Sequence, residues 1–140
     1  IHMQSDGNFR DILCTTGGDA STGTPGKVHM DGKEVFRHAV TKLADSADQT
    51  LKHYQVDPEE LDWLVPHQAN IRIIEGMARK LQMSMDKVVT TVHKHANTSA
   101  ASIPVAMSCA VQEGRIKQGD LILHEAIGGG LVWGSALLRF

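Results

Sequence analysis

The feature that most constrains this chain is an alternation of two hydrophobic periods. Nearly continuous apolar runs at 61–65, 88–92, 121–125 and 131–140 suit β-strands, and Pro66 closes the first. Stretches at 34–54, 70–81 and 102–113 place their apolar residues three or four positions apart, which suits helices. Strands that return to a sheet through a helix pair in parallel, whereas the Gly128-Gly129-Gly130 turn joins the last two as an antiparallel hairpin. With a short edge strand expected over 6–14, the order is β-α-β-α-β-α-β-β. It predicts an α/β fold of three layers, α/β/α, around a five-stranded mixed sheet.

Local signals fix the helices further. In the first, Phe36, Val40, Leu43, Ala47, Leu51 and Tyr54 form one apolar stripe, and Asp31 with Glu34 has the spacing of a capping box. Asp57-Pro58 ends the pattern. The second helix turns Ile74, Met77, Ala78 and Leu81 inward. It leaves Arg72, Glu75, Arg79 and Lys80 outside, with Glu75 and Arg79 spaced to pair. Pro104 falls in the first turn of the third helix, and Gly114 stops it. Residues 15–27, rich in Gly, Thr, Ser and Pro, read as a flexible surface loop without chemistry. The opening Ile-His-Met resembles an expression-vector scar, so residues 1–3 are set aside and the domain is taken as 4–140.

Composition narrows the partners. A chain of 140 residues with 41% hydrophobic content can bury one sizeable core. The formal net charge of -2, without long runs of one sign, gives no footprint for nucleic acid. No apolar run reaches the length of a membrane span, so no membrane partner is expected. Cys14 and Cys109 are far apart and form no CxxC pair; with no signal peptide in view, the expected compartment is the reducing cytoplasm.

Functional groups in open α/β sheets gather beyond the carboxyl ends of strands. Three segments fall there: 66–70, 93–99 and 127–130. His67, held by a strand end and a proline, is either a locally bonded histidine or a donor. Asn97 serves either a turn or, again, as a donor. Together an imidazole N–H and a carboxamide would make a neutral two-donor oxyanion site. The triple glycine is either a turn needing positive φ or a place where a carbonyl approaches a backbone N–H. Among eight histidines, His93, His95 and His124, with Glu125 nearby, could ligate zinc, but no convincing fourth ligand appears and no metal is expected. Neither cysteine lies in a nucleophile context, and Cys109, mid-helix among small residues, reads as a buried inert thiol. The Arg72, Arg79 and Lys80 face is either solvated or a docking surface for an acidic partner.

Three stretches, Leu61-Asp-Trp-Leu-Val-Pro-His-Gln-Ala-Asn70, Asn97-Thr-Ser-Ala-Ala-Ser102 and Gly128-Gly-Gly-Leu-Val-Trp-Gly-Ser-Ala136, resemble the carboxyl-terminal half of the β-ketoacyl-acyl carrier protein synthase III family of thiolase-like condensing enzymes. Gly32-Lys-Glu-Val-Phe36 and Gly114-Arg-Ile-Lys117 extend the likeness. The resemblance implies an acyltransferase that starts fatty-acid synthesis by decarboxylative Claisen condensation of acyl-CoA, typically acetyl-CoA, with malonyl-acyl carrier protein. It implies His67 and Asn97 as the catalytic decarboxylation pair and Gly129 as an oxyanion-hole donor. Met30, Gly32, Ala69 and Asn70 match the pantetheine channel, and Arg72, with Arg79 and Lys80 beside it, matches carrier-protein docking. CoA and phosphopantetheine thioesters are then substrates, and no cofactor is expected.

Ala96 stands where the family commonly has Gly, and Ile127 where Phe often precedes the glycines, which bears on the acyl pocket. No nucleophilic Cys segment occurs, so this chain alone is expected to be inactive and to need the amino-terminal half of the same enzyme. Two readings remain beside it: a module that binds carrier protein or CoA, and a synthase III relative using another primer in specialised metabolism. Because paired halves pack face to face in this architecture, an exposed apolar surface and a homo-oligomer are expected.

Overall fold

A computed structural model describes all residues, 1–140. Strand β1 (His2–Ser5) is followed by a 3-10 turn over Gly7–Ile12, β2 (Leu13–Thr15), a short α1 (Asp19–Thr22) and β3 (Val28–Met30). The body continues with α2 (Gly32–Tyr54), β4 (Trp63–Pro66), α3 (Ile71–Lys80), α4 (Val92–His95), α5 (Ser102–Gln112), β5 (Leu121–Gly128) and β6 (Val132–Arg139). The main sheet has four strands in the order β1-β6-β5-β4, and β2 pairs with β3 apart from it. As the alternation of periods predicts, β4 and β5 are parallel, with Val65 opposite His124 and Pro66 opposite Glu125. β5 and β6 form the antiparallel hairpin, from Leu121 opposite Arg139 to Gly128 opposite Val132.

The expected fifth strand at 88–92 does not form. A single bridge joins Leu64 to Val88, and the Val89 N–H donates to the Leu64 carbonyl at 2.9 Å. Beyond that point the buried amide of Gln68 replaces the ladder. Its Nε2 donates to the Pro66 and Val89 carbonyls at 2.8 and 3.0 Å, and its Oε1 accepts from the Thr91 and Val92 N–H groups at 2.7 and 3.1 Å. The β-branched run therefore satisfies its backbone through a side chain and turns into α4.

The start of the chain departs from expectation as well. Residues 2–5, of which His2 and Met3 lie in the stretch set aside as a scar, form an edge strand antiparallel to β6, with His2 opposite Ser135 and Ser5 opposite Val132. Gln4 Oε1 accepts from Trp133 Nε1 at 2.6 Å and ties this strand to the core. The edge strand expected over 6–14 is instead the 3-10 turn, capped by Asp6 Oδ1 accepting from the Asn8 N–H, with only 13–15 extended.

Helices α2 and α3 cover one face of the sheet and α5 covers part of the other. Alternation along β4 sends Leu64 toward Ala47, Leu51, Ile74 and Ala78, and sends Val65 toward Val89, Ala106 and Ala110. Complete burial of a side chain such as Leu64 or Ile122 contributes about 1.5–3 kcal/mol. On α2 the buried stripe is Val35, Ala39, Leu43, Ala47 and Leu51 with Ser46 and Thr50, so Phe36 and Tyr54 end up 37% and 50% exposed. Asp31 Oδ1 caps α2 by accepting from the Lys33 and Glu34 N–H groups, but the capping box is half made, because Glu34 turns to Arg37. α5 begins at Ser102 with Pro104 in its first turn, and Gly114 beyond it has φ 70°. No helix is long and apolar enough to cross a membrane.

Candidate functional site at the carboxyl ends of β4 and β5

His67 follows Pro66 directly, and its N–H donates to the Glu125 carbonyl at 2.7 Å, extending the β4–β5 pairing by one residue. The ring is half-buried, and its Nδ1 lies 2.5 Å from Ser102 Oγ at the start of α5. The same Oγ accepts from the Gln68 N–H at 3.2 Å. Burial lowers the imidazole pKa below its ordinary value, which favours the neutral ring.

Asn97 is exposed in the turn after α4. Its Oδ1 accepts from the Ser99 N–H at 2.8 Å, which spends the acceptor of the carboxamide and leaves its NH₂ to donate elsewhere. Gly129 lies in the β5–β6 turn, where a Cβ would stand 2.9 Å from the Leu13 carbonyl oxygen, so β2 can approach only a glycine. Gly130 beside it has φ 144°, in the region open to glycine. The Gly129 N–H has no backbone acceptor. His67, Asn97 and Gly129 all line one cavity of about 1070 Å³, with Ile103, Ile127 and Val132 among its apolar walls. Two neutral side-chain donors and a free backbone N–H around one apolar space suit a developing oxyanion.

The other expected residues do not line this cavity. Met30, on β3, is 58% exposed, and Gly32 opens α2 with nothing near its Cβ position. Asn70 spends its Oδ1 capping α3 through the Arg72 N–H at 2.9 Å, and Ala69 is half-buried just before it. Arg72, Arg79 and Lys80 are all exposed on α3, at its first and last turns, about 10–12 Å apart along the axis. The expected Glu75–Arg79 ion pair does not form. Lys80 lines a second cavity of about 860 Å³ beside Asp48, Asp57 and Glu59.

His93 and His95 lie on α4 and His124 on β5, and no three His, Cys, Asp or Glu side chains converge to hold a metal. Cys109, expected to be buried, is half-buried on α5, with its Sγ 3.7 Å from His95 Nε2 of α4. Three residues in or beneath the site were not assigned to it by sequence reasoning. Ser102 gave no signal because its contact with His67 spans 35 positions. Cys14 lines the cavity, although nothing in its sequence surroundings points there. Glu125 is 1% exposed, and its two carboxyl oxygens find no hydrogen-bond partner. Burial pushes its pKa well above the usual carboxylate range.

The chain as a whole is similar to known proteins. A beta-ketoacyl-[acyl-carrier-protein] synthase III of Paracoccus denitrificans is 58% identical over 138 residues, covering 99% of this chain and 43% of the relative. The protein of the same name from Wolbachia pipientis wMel is 56% identical over 139 residues, again 43% of its length. The chain thus spans well under half the length of these curated relatives. Among solved structures, the 3-oxoacyl-[acyl-carrier-protein] synthase III of Aquifex aeolicus VF5 superposes with a TM-score of 0.90 at 41% identity, and that of Pseudomonas aeruginosa PAO1 with 0.92 at 37%. Each is covered over 43% of its length by 99% of this chain, so the fold is the thiolase-like one anticipated, with four strands in its main sheet rather than five. Residues 51–140 match the family described as 3-oxoacyl-[acyl-carrier-protein (ACP)] synthase III C terminal, and the chain belongs to that family.

Proposed function

We propose that this chain supplies the enolate-stabilising part of a 3-oxoacyl-acyl carrier protein synthase III, which condenses an acyl-CoA primer with malonyl-acyl carrier protein at the start of fatty-acid synthesis. The observation that carries this reading is the convergence of His67, Asn97 and Gly129 on one cavity, with the Asn97 acceptor already spent on Ser99. In the proposed reaction the bond between the malonyl α-carbon and its carboxylate breaks and CO₂ leaves. The electron pair moves onto the thioester oxygen as an enolate, to which the His67 imidazole and the Asn97 NH₂ donate. The enolate carbon then attacks an acyl thioester held on a cysteine. The Gly129 N–H donates to the tetrahedral oxyanion, and the thiolate leaves with formation of the 3-oxoacyl product.

In this reading the nucleophilic cysteine comes from the amino-terminal half of the same enzyme, which packs over the apolar wall that holds Met3 and Val132, 71% and 39% exposed here. CoA and pantetheine thioesters are the substrates. Met30, Gly32, Ala69 and Asn70 belong to their approach path, and Arg72, Arg79 and Lys80 to carrier-protein contact. By itself the chain forms no product, and its uncovered wall drives self-association visible by light scattering.

The test is a chimera in which residues 1–140 replace the matching 43% of the Paracoccus denitrificans relative. Formation of 3-oxoacyl-carrier protein from acetyl-CoA and malonyl-carrier protein, lost in His67→Ala and Asn97→Ala, supports the reading. Undiminished product in both variants overturns it.

A further inference from the structure

The geometry assigns Ser102 as a positioning residue for His67: its hydroxyl donates to Nδ1 and holds the imidazole in the tautomer whose Nε2–H faces the cavity shared with Asn97. The consequence for catalysis rests on the function proposed above; the tautomer itself does not.

The assignment follows from counting hydrogens around one oxygen. A serine hydroxyl has one hydrogen and two lone pairs. Ser102 Oγ, in a residue 2% exposed, has two partners within reach, His67 Nδ1 at 2.5 Å and the Gln68 N–H at 3.2 Å. The Gln68 N–H can only donate, so it takes one lone pair. Gln68 cannot swing away to release it, because its side chain is anchored by four bonds to Pro66, Val89, Thr91 and Val92. If Nδ1 also carried its proton, Ser102 would accept twice and its own hydrogen would be buried with no acceptor, an arrangement that folded proteins avoid.

With Nδ1 bare, every group is satisfied: Gln68 donates to Ser102, and Ser102 donates to His67. The imidazole, kept neutral by burial, carries its single hydrogen on Nε2, which has no partner within the chain. That is the hydrogen an enolate oxygen would need. Placing Ser102 at the first position of α5 thus couples a helix start to the ring orientation at a strand end. A purely structural serine would cap the helix or fill space, whereas here the hydroxyl hydrogen has one acceptor, and that acceptor is the imidazole.

The experiment is a long-range ¹H–¹⁵N correlation on the ¹⁵N-labelled 140-residue chain above the histidine titration range, with His67 identified by its loss in His67→Gln. Wild type is expected to show a protonated Nε2 and a bare Nδ1. In Ser102→Ala the ratio of the two tautomers is expected to fall about tenfold, as loss of one hydrogen bond to the ring dictates. Ser102→Thr, which keeps the hydroxyl, is expected to restore it. A wild-type ring protonated at Nδ1 overturns the assignment without any variant, as does an unchanged ratio in a folded Ser102→Ala. In the chimera, Ser102→Ala is expected to lower kcat with little change in KM for malonyl-carrier protein. If the tautomer behaves as expected while the His67→Ala chimera keeps full activity, the proposed function fails and the role of Ser102 in setting the ring stands.

Discussion

Gln68 Oε1 accepts the Thr91 N–H at 2.7 Å, and through this contact a single buried amide does the work of a missing strand pair. Replacing Gln68 with Leu keeps the approximate volume but deprives Pro66, Val89, Thr91 and Val92 of their partners. A buried polar group left unsatisfied costs about 1–3 kcal/mol, and partial access of water near Val92 relieves part of the total. Gln68→Leu is therefore expected to lose about 3 kcal/mol, read as a lower urea midpoint at unchanged slope. A loss below about 0.5 kcal/mol would mean that the backbone finds other partners.

Glu125 gives the protein an unusual pH dependence. Its pKa in the folded chain is raised well above the ordinary 4.5 by burial, so the folded protein keeps a proton that the unfolded chain releases. Stability from this group is complete below that ordinary value and is lost as pH rises through the raised one, the reverse of a salt-bridged carboxylate. His67 and His124 run the other way. Burial lowers both, so the folded chain loses stability as pH falls below 6.5 toward their depressed values. Comparing variants separates the two trends. The stability of Glu125→Gln relative to wild type should rise with pH by up to about 1.4 kcal/mol per unit across the window above 4.5. A difference that stays constant with pH would show that Glu125 titrates normally.

How much of this was legible in the sequence depended on the range of the interactions. The alternation of periods located α2, α3, α5, β4, β5 and β6, because each buries a stripe set by its own residues. On α2 the stripe was displaced because Ala39, Ser46 and Thr50, small or polar, are buried while Phe36 and Tyr54 are not. Hydropathy alone ranks these residues the wrong way round. The run at 88–92 has the composition of a strand, and only the distant amide of Gln68 diverts it. His67, Asn97 and Gly129 could be picked out because strand ends collect functional groups, whereas Ser102 and Cys14 reach the site only through the fold.

The edge strand at the start of the chain could not be read locally, since its pairing is with β6, more than a hundred residues away. Its anchor, Gln4 Oε1 to Trp133 Nε1, offers a direct check. Gln4→Ala leaves the indole N–H without this partner and should cost about 1 kcal/mol, with a change in Trp133 emission in a Trp63→Phe background. Unaltered emission and midpoint would mean that β1 does not hold its pairing in solution.

Asn97 permits a substitution that separates its two ends. Asp at this position keeps an oxygen for the Ser99 N–H, so the turn and the stability of the chain should change by less than about 0.5 kcal/mol. What Asp lacks is the NH₂ left free to donate, and it adds a negative charge beside the cavity where the enolate oxygen would form. In the chimera, Asn97→Asp is expected to lower kcat by about 10²–10³, the loss typical of removing one oxyanion donor. Thermal midpoints measured on the same samples distinguish this from unfolding. A variant with normal stability and normal kcat would remove Asn97 from the enolate site and leave His67 and Gly129 to account for it.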